Sequence, residues 1–331
     1  MTKETPPDIV YSLALSPGFA DDSLCFAARQ SGLYRSVDGG ATWDYAYGTL
    51  GLEGTLPTVC VAVSPDFLRD RTVFAGVNGA VLRSTDGGQT WSAMRLPDPP
   101  PFVVSLVISP GFATDGVVLA GTMEDGVFRS HDRGSRWTAW NFGLLDLNVL
   151  CLASSPMYAA DETLYAGTES GVFRSTNGGR AWRETAFSPD LAPTLSLAVS
   201  PTYADDQTLF AGTESSGLFR SDDAGETWQR IEGQVVGETV NDLAMWRAPG
   251  EELGVVVVLP DAVLVTRDSG QSWSSLKMPA AKELQLTSAA VASGTGLGDR
   301  LLVGTTADGV LQLEVPPGLG DAGAAEALGA G

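Results

Sequence analysis

Short apolar runs, each closed by small or polar residues, follow one another along the chain in the rhythm of strands rather than helices. A representative stretch reads Thr163-Leu164-Tyr165-Ala166-Gly167-Thr168 and then Gly171-Val172-Phe173-Arg174-Ser175. Runs of this length, rich in aromatic and β-branched residues and bounded by Gly, Asp and Ser, predict antiparallel strands joined by tight turns. Ahead of each pair an apolar strand leads into Ser-Pro, an aromatic and then an Asp at constant offset. The copies are Ser16-Pro17-Gly18-Phe19 with Asp22, Ser64-Pro65-Asp66-Phe67 with Asp70, Ser109-Pro110-Gly111-Phe112 with Asp115, Ser155-Pro156-Met157-Tyr158 with Asp161, and Ser200-Pro201-Thr202-Tyr203 with Asp206. A fourth, short strand begins at a Trp.

The turn before that Trp recurs six times, as Ser or Thr, then an acid or its amide two residues later, then Gly, then Trp. The first copy is Ser36-Val37-Asp38-Gly39-Gly40-Ala41-Thr42-Trp43. The acidic positions Asp38, Asp86, Asp132, Asn177, Asp223 and Asp268 stand 48, 46, 45, 46 and 45 residues apart, and Trp43, Trp91, Trp137, Trp182, Trp228 and Trp273 close the turns. A fixed period of this size marks a repeat architecture, and four short strands per repeat is the pattern of a propeller blade.

Repeat six, Val240 to Leu276, lacks the Ser-Pro element but keeps strands and turn, and a seventh copy runs from Glu283 to Val315 without a Trp strand. The predicted fold is therefore all-β, a seven-bladed β-propeller of four-stranded antiparallel blades. The residues before Asp8 are expected to complete the last blade and leave no free edge. Residues 1–315 are expected to form one propeller domain, and the Gly- and Ala-rich residues 316–331 a flexible tail.

These turns resemble the Asp-box, or BNR, repeats of the sialidase-like propellers, and the count of seven units is closer to propellers of the photosystem II assembly factor type than to six-bladed sialidases. The resemblance implies a scaffold that holds other proteins. It is specific for fold and poor for function, because such folds host unrelated activities. Sialidases also carry an Arg cluster, a Tyr and Glu nucleophile pair and an Arg-Ile-Pro element. No Arg-Ile-Pro occurs here, and Tyr158, Tyr165 and Tyr203 are accounted for by repeat positions. The xyloglucan-hydrolysing relatives use two such rings with carboxylates facing across a cleft, whereas this sequence holds one ring.

Physically, the turn acid accepts hydrogen bonds from backbone amides of its own turn, the glycines allow positive φ, and the Trp supplies an apolar body to the blade. Asn177 keeps the acceptor and drops the charge, which suits a backbone cap rather than a metal ligand. The turn lacks the closely spaced oxygens of a calcium loop, so neither metal nor cofactor is expected. Arg35, Arg83, Arg129, Arg174 and Arg220 recur in step with the blades, as inter-blade or strand-face pairs do.

Forty acids against twenty bases give a net charge of −20, which opposes binding to nucleic acid and to anionic membranes. The most apolar run, Leu253 to Val265, is broken by Pro260-Asp261 and is too short to span a bilayer. The start, Met1-Thr2-Lys3-Glu4-Thr5-Pro6-Pro7, is unlike a signal peptide. With three cysteines the reading is cytoplasmic, the alternative being a secreted protein whose signal lies outside this sequence. Cys60 and Cys151 fall where other repeats carry Ser12, Ser105 and Ser196, a small-residue slot on the innermost strand. The one histidine, His131, lies in a turn and supports no nucleophilic or metal chemistry.

The Ser-Pro loops and the Asp-box turns belong on one face. The opposite face receives the second-to-third-strand turns and the connections between blades, and irregular loops on a rigid frame are where binding concentrates. There the turns carry Glu124, Asp125, Glu169, Glu214, Asp261 and Asp308, and the connections carry Phe102, Trp140 and Phe142. The expectation is a non-catalytic interaction module whose acidic, aromatic rim docks a basic protein partner within a larger assembly. A glycoside hydrolase or carbohydrate-binding propeller is the competing class.

Overall fold

In the computed structural model, which describes residues 7–187, 193–233, 235, 237–247, 252–278, 285–292, 299–307 and 309–315 (without the side chain of residue 299), each repeat folds into its own antiparallel sheet. The seven sheets span residues 10–45, 58–95, 102–139, 149–184, 194–230, 242–275 and 286–315, here called blades one to seven. Six have four strands in sequence order and the seventh has three among the described residues. The expected completion of blade seven falls on residues 1–6, and the expected tail on residues 316–331, both outside the described residues.

Burial follows strand order. The second strand, as in Leu164–Thr168, is buried throughout because neighbouring blades cover both its faces, whereas a two-residue fourth strand such as Arg183–Glu184 is exposed. In five blades the Ser-Pro-aromatic-Asp segment, read from sequence as a loop, forms a single helical turn, for example Phe19–Asp22. Ser16 Oγ donates to Asp22 Oδ2 (2.7 Å) and the Leu24 amide to Asp22 Oδ1 (3.0 Å), so one carboxylate closes the turn and starts the second strand. The carbonyl of Ser23 then accepts the Gly39 amide (2.9 Å), which seats the Asp-box turn on the helical turn and places both on one face.

Within each Asp-box the Ser or Thr hydroxyl donates to the acid or its amide and accepts the amide of the glycine four residues on. In blade two, Ser84 Oγ donates to Asp86 Oδ1 (2.8 Å) and accepts from Gly88 N (2.8 Å), while Asp86 Oδ1 also accepts the Thr90 amide (2.9 Å). Asn177 accepts in the same way, from Ser175 Oγ (3.0 Å) and the Ala181 amide (2.8 Å).

That glycine meets the preceding blade. Gly88 has φ +87°, and a Cβ there would lie 2.6 Å from Cε1 of Phe26 on the second strand of blade one. The same pairing joins Gly134 to Phe74, Gly179 to Leu119, Gly225 to Tyr165 and Gly270 to Phe210, and it closes the ring at Gly40 against Leu302. The periodic arginines reach across the same seams. Arg35 Nε donates to the Gly87 carbonyl (2.9 Å), Arg220 donates to the Ser269 carbonyl, and Arg174 pairs with Glu226 (3.5 Å).

Nearer the axis, the small-residue slot faces a glycine of its own second strand. A Cβ on Gly167 would stand 2.5 Å from the Cys151 sulfur. A bulge just before the slot residue in each of six blades re-aims it toward the next blade. There the Cys151 thiol donates to the Thr194 carbonyl (3.6 Å) and Ser196 Oγ to the Val240 carbonyl (3.4 Å). At the closure Thr287 Oγ1 donates to the Val10 carbonyl (2.5 Å).

Gly88→Ala is expected to lower unfolding stability by about 2 kcal/mol or more, from backbone strain and the collision with Phe26. Gly54→Ala, where a Cβ meets nothing within 4 Å, should leave it unchanged. Denaturant unfolding of the two variants checks the seam, and equal stability would refute it.

Candidate functional site

The irregular face is organised by one segment, residues 140–148, which straps the turns of blades three and four together. Asn141 Oδ1 accepts the Val127 amide (2.8 Å) and its Nδ2 donates to the Asp125 carbonyl (2.8 Å). At its other end Asn148 Oδ1 accepts the Glu124 amide (3.0 Å) while Nδ2 donates to Glu169 Oε2 (3.1 Å). Asp146 holds the strap by accepting the amides of Asn148 (3.0 Å) and Ser170 (2.8 Å). Burial acts to raise the Asp146 carboxyl, but those amides outweigh it and hold the group below its usual range.

Glu124, Asp125 and Glu169 are thus gathered at one place. Trp140 and Phe142 sit on its outer flank, at the seam with the next Asp-box. The Trp140 carbonyl accepts Nε1 of Trp182 (2.8 Å) and the Phe142 carbonyl accepts the Trp182 amide (2.8 Å). The Trp140 ring lies under the guanidinium groups of Arg129 (4.4 Å) and Arg180 (5.3 Å). Phe102 is half-buried in the first strand of blade three, opposite Met123. Glu214 and Asp261 are exposed on the separate turns of blades five and six. Glu214 is tied to its own surroundings, its amide to the Pro193 carbonyl and its carbonyl to Thr239 Oγ1. Asp308 lies outside the described residues.

The strap turns apolar side chains outward. Phe142 is 81% and Leu145 79% exposed, and with Leu147 and Met123 they make four of the nine exposed large hydrophobic residues among those described. Sequence reading picked out Phe142 but not Leu147 or Asn148. The Asp146-Leu147-Asn148 spacing, an aspartate capping an amide two residues on, was the available signal.

The Asp-box acids are satisfied within their turns. Hydrogen bonds from Thr42 and Ser36 hold Asp38 down at about 2; burial opposes the same effect at Asp86, where Thr90, Ser84 and Gln89 prevail and the carboxyl again lies at about 2. All three thiols are pushed up to about 12 by burial, which keeps them protonated. His131 is exposed. Among the described residues, no group of three or more His, Cys, Asp or Glu is placed to hold a metal ion, and no helix is long and apolar enough to cross a membrane.

One titratable group of the inner ring escaped sequence reading. Asp242 pairs with Val258 and so occupies in blade six the slot held elsewhere by Ser or Cys. Its Oδ2 accepts the Ala289 amide of blade seven (2.8 Å), as Ser105 Oγ accepts the Leu152 amide (3.1 Å) between blades three and four. Burial raises its carboxyl to about 6 despite two amide donors.

With this geometry in hand, the comparisons are decisive for the repeat. The model of the BNR/Asp-box repeat matches residues 82–93, which contain the blade-two turn. The chain carries an Asp-box repeat within a seven-bladed β-propeller. No curated protein sequence matches it. Among solved structures, the propeller is similar to YCF48 bound to D1 peptide, with TM-score 0.67 and 19% identity over 97% of this chain and 98% of that one. It is also similar to YCF48 from Cyanidioschyzon merolae, with TM-score 0.66 and 16% identity over 93% and 96% of the two chains. The GH74 xyloglucanase from Xanthomonas campestris matches with TM-score 0.72 and 17% identity over 92% of this chain and 52% of that one. An ancestral GH74 enzyme matches with TM-score 0.74 and 19% identity over 95% of this chain and 46% of that one. The propeller therefore spans about half the length of the GH74 structures, and at these identities the likeness is one of fold.

Because the folded state holds a proton on Asp242 that the unfolded chain releases near pH 4, stability should fall as pH rises from about 4 to about 6. Relative to wild type, Asp242→Asn is expected to lose that slope and to gain about 1–2 kcal/mol above pH 6, with the two proteins converging below pH 4. Parallel pH profiles from thermal unfolding would contradict this assignment.

Proposed function

We propose that the chain is a non-catalytic interaction module that docks a protein partner on the strap between blades three and four. The observation that carries this reading is the outward placement of Phe142, Leu145 and Leu147 beside Glu124, Asp125 and Glu169, on a segment whose backbone is fixed at both ends by Asn141 and Asn148. Large apolar side chains held exposed on one segment beside acids are the mark of an interaction surface. Pre-fixing its backbone lowers the ordering cost of association. The acids of the rim and the net charge of −20 favour a partner segment that pairs apolar with basic residues. The likeness to a YCF48 structure that holds a D1 peptide supports a protein ligand, and protonated thiols with a lone turn histidine support an absence of nucleophilic chemistry.

In affinity capture from native lysate read by mass spectrometry, the wild-type protein is expected to retain a stoichiometric partner that Phe142→Ser with Leu145→Ser loses at least tenfold. Glu124→Lys with Glu169→Lys should weaken capture to a similar degree, and raised salt should weaken it in the wild type. Asp261→Lys should not. Retention of the same partner by the Phe142 and Leu145 variant, with its unfolding curve unchanged, would refute the proposal.

A further inference from the structure

The connection after blade one, residues 46–57, runs along that blade and borders an open pocket of about 420 Å³. Its walls include Tyr34, Tyr45 and Tyr47, and Tyr45 meets its two neighbours edge to face at 5.6 and 5.9 Å. The opposite wall is a glycine-rich loop, where a Cβ on Gly48, Gly51 or Gly54 would meet nothing within 4 Å. Ser31 Oγ donates to the Tyr34 hydroxyl (3.0 Å). Glu53 is the one carboxylate of the lining, and neither Arg nor Lys contributes to it.

This aromatic ladder is not something the blade requires. Opposite the residue equivalent to Tyr34, the position of Tyr45 is held by Ala93, Ala139, Glu184, Arg230 and Ser275 in blades two to six. Tyr45 nevertheless leaves 40% of its surface to solvent, and Leu52 across the pocket is also exposed. The chemistry of the lining is that of electron-rich ring faces and a carboxylate in a protein of net charge −20, which attracts cations. The ladder already engages one. Arg29, outside the lining, places its guanidinium 4.6 Å over the Tyr34 ring.

We propose that this pocket binds an organic cation, a guanidinium or alkylammonium group of the kind carried by an arginine or methylated lysine side chain, with Tyr45 and Tyr34 supplying ring faces and Glu53 the counter-charge. The site lies two blades from the strap and stands or falls independently of it.

The test is calorimetric and NMR titration of the intact protein with blocked arginine, with choline and with the neutral tert-butyl isostere of choline. Saturable binding of a cation, absent for the isostere, is expected. Tyr45→Ala and Glu53→Gln should each weaken it threefold or more, while Tyr45→Phe retains it because the ring face is kept. Both positions are exposed, so unfolding curves should match wild type. Binding unchanged in Tyr45→Ala, equal binding of the isostere, no binding of either cation, or binding of xylo-oligosaccharides at these residues in place of the cations would overturn the proposal.

Discussion

The ring depends on one contact made at six of its seven seams, where the positive-φ glycine four residues after the Ser or Thr of each Asp-box meets the second strand of the blade before it. Gly88 on Phe26 and Gly134 on Phe74 are the tightest examples. The hydroxyl of the same turn accepts that glycine amide and itself donates to the carboxylate, so the turn sets the spacing between blades. The Trp then packs back into the same seam, as Trp91 does among Phe26, Leu33 and Tyr47. A single polar motif thereby serves the local turn, the blade and the closure of the ring against Leu302.

Since periodic positions are committed to the seams, what distinguishes this propeller lies where the period breaks. The strap at residues 140–148, the tyrosine ladder of blade one and Asp242 in the inner ring are each a departure from what the other blades carry. Each also sits where the fold tolerates it: on an outer connection, on an exposed fourth strand, or in a slot whose neighbour supplies amide donors. The acids divide along the same line. Those of the Asp-boxes are consumed by backbone amides and held low, whereas Glu124, Glu169 and Glu53 leave charge on the irregular surface.

Legibility followed periodicity. The spacing of Asp38 through Asp268, the recurrence of the Trp residues and the strand pattern between them define a seven-unit all-β ring, because a repeat that cannot bury its own faces must stack. The slot shared by Ser12, Cys60, Ser105, Cys151 and Ser196 was equally readable, since the alignment carried it. It stopped at blade six, where the missing Ser-Pro element hid the fact that Asp242 fills the same slot. The one-turn helices were hidden for a related reason: four residues closed by a single Asp carry too little pattern to separate a helical turn from a loop.

The sequence by itself determined the blade, the number of repeats and the turn chemistry, because these rest on contacts between residues a few positions apart or at a fixed period. Only the tertiary structure decided that Glu124 and Glu169 converge through Asn148, that Trp140 and Phe142 lie against Trp182 on the flank, and that Tyr34 and Tyr45 face a glycine-rich loop. Those juxtapositions come from the paths of aperiodic connections across neighbouring blades. No short-range or periodic rule encodes such a path; it is set by whichever hydrogen bonds and apolar contacts each loop finds on the surface it crosses.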